Sequence, residues 1–330
     1  MAKKNYEIRP LKEKLMDKIL IYYSTIWKDK LEESIHKQWL ANFHSNNRII
    51  HEKEQLNALY LLSKFMYFGN AELRELLRCI YRDLYKYPII EEIRKSNGNT
   101  IDLKFIKEKF EKEKAKTKFL GIGNPSESGI HLLYYFRQEN NLSKEMFLNT
   151  HEIFSIDLVK DKDENGFDRE YLKSKVSNTQ IQRYIFIDDF CGSGSQATLY
   201  SKNIVEKIKS LNPNIEVNYL VLFSTEHGMQ VIKERTKFDN IKSVFTIDDS
   251  FKCFSDDSRI FSKKVTGIDK DFTQDFCYNY GKKLWCFHPL GFQNGQLLLG
   301  LFHNTPDNTL PIFWSDNNKW QPIFKRYHKV

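Results

Sequence analysis

With 330 residues, 41% of them hydrophobic, the chain can bury two domains or one large α/β domain with an extension. No apolar run approaches the ~18 residues of a membrane span, and Met1 to Glu7 lack the apolar segment of a secretory leader, so no membrane partner is expected. The net charge of +8 is uneven: residues 1–120 hold 25 Lys+Arg against 17 Asp+Glu, whereas residues 121–330 hold 26 of each. The five cysteines (Cys79, Cys191, Cys253, Cys277, Cys286) are scattered and without CxxC spacing, which points to a reduced, cytoplasmic chain and against a structural zinc site.

Residues 10–118 read as helices. Leu11, Leu15, Ile19, Tyr22 and Ile26 form one stripe at helical spacing. Leu56, Leu59, Leu62, Phe65 and Met66 form a second, and Leu73, Leu76, Leu77, Ile80, Tyr81 and Leu84 a third. Asn70 is placed to cap a helix, and breaks are expected at Tyr87-Pro88 and Ser96–Asn99. Lys104 to Lys118, with seven lysines and three glutamates, reads as an exposed connecting helix. A basic face of this kind serves either as a solvated surface or as a contact for nucleic acid or an acidic protein.

The pattern then changes. Short apolar runs at 119–123, 185–187, 217–223, 243–247 and 296–302 alternate with helical segments at 130–138, 199–211 and 228–237, and 152–154 reads as a minor strand. Such alternation predicts a mostly parallel, Rossmann-like α/β sheet. The expected division is a basic helical region, 1–118, followed by an α/β domain, 119–330.

The segment Tyr184-Ile185-Phe186-Ile187-Asp188-Asp189-Phe190-Cys191-Gly192-Ser193-Gly194-Ser195-Gln196 carries the chemistry. A buried strand ends in two carboxylates. A Gly/Ser turn follows, and then a helix N-terminus, where backbone N–H groups and the helix dipole favour an anion. The acid pair can hold ribose hydroxyls or a divalent metal. Cys191 has no histidine or other base beside it in sequence and reads as a small packed residue. The polar loops after the expected strands should converge on one edge of the sheet, with Glu226, His227, Asp248, His303 and Asn304 as cleft candidates.

This segment resembles the ribose-phosphate motif of type I phosphoribosyltransferases. The resemblance implies that Asp188 and Asp189 contact the ribose of phosphoribosyl pyrophosphate, with Mg²⁺ carried by that ligand. It implies too that Gly192, Ser193, Gly194, Ser195 and Gln196 cradle the 5-phosphate. Gly123, Asn124, Ser126, Ser128 and Gly129 stand where that class places its pyrophosphate loop. A third carboxylate, used by purine-salvage members three positions after the pair, is replaced by Gly192. His288–Phe292 and Leu298–Trp314 are similar to phosphoribosyltransferase-like effectors of bacterial conflict systems, a helical region followed by a Rossmann-like domain. That likeness implies a toxin-like, anti-phage effector of the kind associated with retrons. Its partners would be a ribonucleoprotein (a reverse transcriptase with its RNA/DNA) and a regulatory protein. Two other readings remain at this point. One is an inactive nucleotide-sensing module that contacts nucleic acid or protein through its basic helices. The other is a two-metal nuclease built on Asp188, Asp189, Asp248 and Asp249.

Overall fold

The structure, a computed structural model, describes residues 2–27, 34–123, 128–162, 164 and 167–327. By backbone proximity the chain divides into two compact units, Met1–Leu73 with Ile247–Val330, and Arg74–Thr246. This cut differs from the one expected at residue 118. Residues 74–118 belong with the parallel sheet, and residues 247–330 belong with the N-terminal helices. On this division the basic excess is shared: the first unit has 23 Lys+Arg against 18 Asp+Glu, the second 28 against 25.

The chain opens with α1 (Ala2–Thr25), α2 (Ile35–Ala41), α3 (Arg48–Leu62) and β1 (Met66–Phe68). Asn47 caps α3, its side chain accepting from the N–H groups of Ile49 and Ile50. Next comes α4 (Asn70–Cys79), which widens to a π-helix over Ile80–Lys86 and returns to α winding as α5 (Tyr87–Lys95). Pro88 was expected to break the chain here. It sits instead in the first turn of the rewound segment, where its missing N–H costs little, and the change of winding at the preceding turn takes the place of a break. Asp102 caps α6 (Leu103–Ala115).

The second unit continues with β2 (Thr117–Gly121), α7 (Ser128–Glu139), β3 (Phe154–Lys162), β4 (Asp168–Val176), β5 (Arg183–Cys191), α8 (Ser195–Tyr200), α9 (Glu206–Leu211), β6 (Glu216–Thr225), α10 (Glu226–Arg235) and β7 (Asn240–Ile247). The sheet order is β2-β5-β6-β7. β2 runs parallel to β5 from Thr117↔Arg183 to Gly121↔Ile187, and β5 parallel to β6 from Arg183↔Glu216 to Cys191↔Ser224. The expected mixed α/β fold with mainly parallel pairing is therefore present. Tyr184, Phe186, Val217 and Val221 of the central strands pack with Ala197, Val205, Ile208 and Ile232 into one buried cluster. β3 and β4 form a separate antiparallel hairpin. Cross-strand partners Leu158 and Leu172, with Ile156 two residues along, share one exposed face of it.

The first unit resumes after β7 with α11 (Lys270–Leu284), β8 (Leu299–Leu301) and α12 (Pro311–Trp314). β8 pairs in parallel with β1, so the run 296–302 is not a strand of the four-stranded sheet as expected. Its leucines are apolar because they bury against helices: Leu298 shares a core with Leu59, Leu62, Trp39 and Phe313. Phe65 stacks on Phe324 with ring centroids 4.1 Å apart, and the Trp39 indole N–H donates to the Ile312 carbonyl at 2.6 Å. The stretch His303–Trp314, which carries the effector resemblance, is therefore tied into a helical core. The Thr305 hydroxyl donates to Phe324 O, Thr309 to Leu299 O, and the Trp314 indole to Thr309 O.

Candidate functional site

β5 extends through both acids to Cys191, further than the sequence indicated. Asp188 and Asp189 are consequently not at an exposed strand end: they are 5% and 8% exposed. The carboxyl groups are held from inside the protein. Asp188 Oδ1 accepts from the Asp189 N–H at 2.9 Å, and Asp188 Oδ2 accepts from the Tyr219 hydroxyl at 2.8 Å. Asp189 Oδ1 accepts from the Phe190 N–H at 2.8 Å. Strand alternation would put successive acids on opposite faces. Here the ladder to β6 skips Asp189, and Cys191, three residues past Asp188, packs in the same cluster as Tyr184 and Phe186. The register is the same on either side of Asp189, Asp188 facing Val221 and Phe190 facing Phe223, so no residue is inserted; the two acids meet through the hydrogen bond between their side chains.

Burial pushes the Asp188 carboxyl well above the usual carboxylate range, and the neighbouring charge of Asp189 pushes it the same way. The bond from Tyr219 opposes both. The two side chains also hydrogen-bond each other, an arrangement that favours Asp188 as the neutral, donating acid. Burial likewise pushes the Cys191 thiol up to about 11, helped by Asp188. A thiol of that kind is not a nucleophile at neutral pH, in line with its reading as a packed residue.

After Cys191 the chain turns through Gly192, Ser193 and Gly194 into α8. Gly194 holds φ +74°, a left-handed conformation that suits glycine. The Thr198 N–H and hydroxyl both return to the Gly194 carbonyl, at 2.9 and 2.8 Å, and the Ser193 hydroxyl donates to Ser195 Oγ at 2.9 Å. Ser195 and Gln196 are exposed at the start of the helix. From the neighbouring strand end, the Thr225 hydroxyl donates to the Gly192 carbonyl while accepting from the Gly228 N–H at 2.9 Å. A Cβ on Gly228 would lie 2.6 Å from Gly192 O, so the loop and the first turn of α10 touch through backbone. Exposed Glu226 and His227 open α10 beside this loop.

The remaining candidates divide. Asn124 and Ser126 lie outside the described residues, and Ser128 is described by its backbone alone. Gly123 has φ +103°. Gly129 lies so close to the end of β2 that a Cβ there would sit 2.4 Å from Ile122 O, and one on Gly121 would meet Gly129 backbone at 2.7 Å. Asp248, His303 and Asn304 fall in the other unit. Asp248 caps a single turn at Ser250 and pairs with Arg259 at 3.6 Å. Asn304 Oδ1 accepts from the N–H groups of Thr305 and Tyr327. Both have local structural partners. Sequence reasoning passed over Tyr219 and Thr225. The signal for Tyr219 was a phenol between Asn218 and the apolar run 220–223.

Among the described residues no three His, Cys, Asp or Glu gather closely enough to hold a metal ion. The acid pair does supply hard oxygen donors. A Mg²⁺ ion there would take its other positions from a ligand's phosphates and from water, which suits that ion. No helix among the described residues is long and apolar enough to cross a membrane.

The sequence signature of the PRTase-CE family matches residues 36–326. The chain belongs to the PRTase-CE family. It is a phosphoribosyltransferase-like protein at that level, in agreement with the motif on β5. A comparison with curated proteins gave no match. Two solved structures are similar to this PRTase-CE chain. One is the Helicobacter pylori xanthine-guanine-hypoxanthine phosphoribosyltransferase, at 8% identity, over 55% of this chain and 90% of that one, with a TM-score of 0.27. The other is the AQ2163 protein from Aquifex aeolicus, at 11%, over 66% and 86%, with a TM-score of 0.28. Likenesses of that size carry no argument, and the family match stands without them.

Proposed function

We propose that the chain binds phosphoribosyl pyrophosphate, or a nucleotide containing the same ribose 5-phosphate, together with Mg²⁺, and that it transfers or cleaves at the anomeric carbon. One observation carries this reading: the acid pair stands near the end of β5 and the Gly192–Gln196 loop follows the strand directly, at the C-terminal edge that parallel β2 and β6 share. In this reading Asp189 and Asp188 meet the ribose diol and the loop N–H groups take the 5-phosphate. Bound Mg²⁺ would supply charge neutralisation of the departing pyrophosphate. The protein's part is positioning and charge stabilisation of an oxocarbenium-like transition state. Gly192 offers no carboxylate for activating a purine base, so salvage of such a base is not part of the proposal.

A second reading is a nucleotide-binding module without turnover. The observation on its side is that Asp188 is held on both oxygens and favoured as a neutral acid, which suits holding a hydroxyl better than stabilising positive charge. The anti-phage effector role, and a nucleic-acid or protein partner on the basic helices, rest on sequence resemblance and charge. Incubation of the purified chain with labelled phosphoribosyl pyrophosphate and Mg²⁺ separates the readings. Release of pyrophosphate that Asp189→Asn abolishes supports the enzyme. Tight binding without release supports the module, and neither result contradicts both.

A further inference from the structure

We propose that Tyr219 is the positioning residue of the acid pair: its buried phenol holds Asp188 from beneath and so sets the carboxyl edge that a ribose diol meets. The inference rests on the ribose-phosphate reading above and deepens it.

Tyr219 lies on β6 opposite Phe186, and Asp188 is two residues further along β5. That makes the phenol and the carboxyl diagonal neighbours on one face of the sheet, a spacing a long side chain can span. The ring is 0% exposed and packs on Phe238 with centroids 5.4 Å apart, which fixes the direction of its hydroxyl. The flanking residues of that face, Val217 and Val221, are aliphatic and fully buried. A phenol between them is a costly choice unless its O–H finds a partner. That partner is Asp188 Oδ2 at 2.8 Å, while Asp188 Oδ1 is held by the next backbone N–H at 2.9 Å. Two bonds, one to each oxygen, define the plane of the carboxyl group. Phenylalanine would fill the same space and remove one of the bonds that hold Asp188, leaving those to Asp189, so the carboxyl would be less firmly fixed about its last torsion. Such freedom weakens binding by removing pre-organisation at the diol; the phenol also lies beside the Cys191 thiol, just before the phosphate loop, so binding of phosphate alone reads whether the loop is disturbed.

The test is a calorimetric titration of ribose 5-phosphate, 2-deoxyribose 5-phosphate and inorganic phosphate into the wild-type chain and Tyr219→Phe. Losing one hydrogen bond at such a site should weaken ribose 5-phosphate roughly 10-fold. Inorganic phosphate should bind both proteins alike, and the deoxy sugar should lose less than the ribose. An equal loss for all three ligands would mean a merely structural role and overturn the proposal, as would no loss at all. If the wild-type chain binds ribose 5-phosphate no better than phosphate, the ribose-phosphate reading fails on its own, before any variant is compared. Should Tyr219→Phe not fold, Phe238→Leu takes its place, because it loosens the ring that aims the phenol and leaves both acids intact. Selective loss of the ribose ligand there supports the proposal, and equal loss of phosphate overturns it.

Discussion

Replacing Asp188 by alanine and by asparagine separates two roles of one side chain. Alanine removes both acceptors at once. It leaves the hydroxyl of Tyr219, which is fully buried, and the N–H of Asp189 without the partners they have at 2.8 and 2.9 Å. Each orphaned buried donor costs about 1–3 kcal/mol, so the pair costs roughly 2–6 kcal/mol. Part of this is offset, because burial of Asp188 was itself unfavourable, as its raised pKa records. We expect a net loss of about 2–4 kcal/mol, which for a unit of this size lowers the melting temperature by roughly 5–15 °C. Asparagine keeps a carbonyl oxygen for the Asp189 N–H, and its amide can donate to a phenol turned to accept. Its loss should stay within about 1 kcal/mol. The pH dependence has a definite sign. Asp188 has a raised folded pKa, so folding takes up a proton: its contribution is complete below the unfolded carboxylate pKa and is lost as pH rises toward the folded value. Asp188→Asn should flatten that decline. Thermal melts of the three proteins across pH decide the matter. An alanine variant as stable as the wild type, or an asparagine variant that falls with it, would refute the reasoning.

Gly228→Ala places a Cβ 2.6 Å from Gly192 O, so the loop must move; ligand binding should fall by more than tenfold while Gly98→Ala, where nothing lies within 4 Å, costs only backbone strain at φ +65°. Calorimetry on both variants checks this, and equal binding by Gly228→Ala would contradict the backbone contact. Thiol titration at neutral pH should label exposed Cys286 first, while buried Cys191, Cys253 and Cys277 react only after unfolding. Rapid labelling of Cys191 in the native protein would count against its inert assignment. Glu139, held by Arg74 and Arg78, has its carboxyl below the usual 4.5. Its stabilisation is present above the unfolded pKa and lost as pH falls through the folded one, so Glu139→Gln should flatten the acid limb of a melting profile.

The motif on β5 was legible because a short apolar run, paired acids and a Gly/Ser turn are local features, and the parallel sheet followed from alternating runs. The burial of Asp188 and Asp189 was not. An acid after an apolar strand reads as the strand's exposed end, and the burial of Asp188 depends on β6, where Val221 faces it and Tyr219 holds it. The hairpin of β3 and β4 escaped because Lys, Asp and Glu punctuate its aliphatics, and its partner strands are joined only by their register. The run at 296–302 was recognised as apolar, but its burial against Trp39 and Leu59 is contact across more than two hundred residues. Pro88 looked like a break because a sequence shows the missing N–H and not the π-helical turn that precedes it.

The central claim is that the segment Asp188–Gln196 binds a ribose 5-phosphate. Titration of phosphoribosyl pyrophosphate with Mg²⁺ into the folded wild-type chain and into Asp189→Asn tests it most directly. The account predicts saturable binding by the wild type and at least a tenfold weakening in the variant, equivalent to about 1.4 kcal/mol. A folded wild-type chain that shows no binding at millimolar ligand, or a variant that binds equally well, would contradict it.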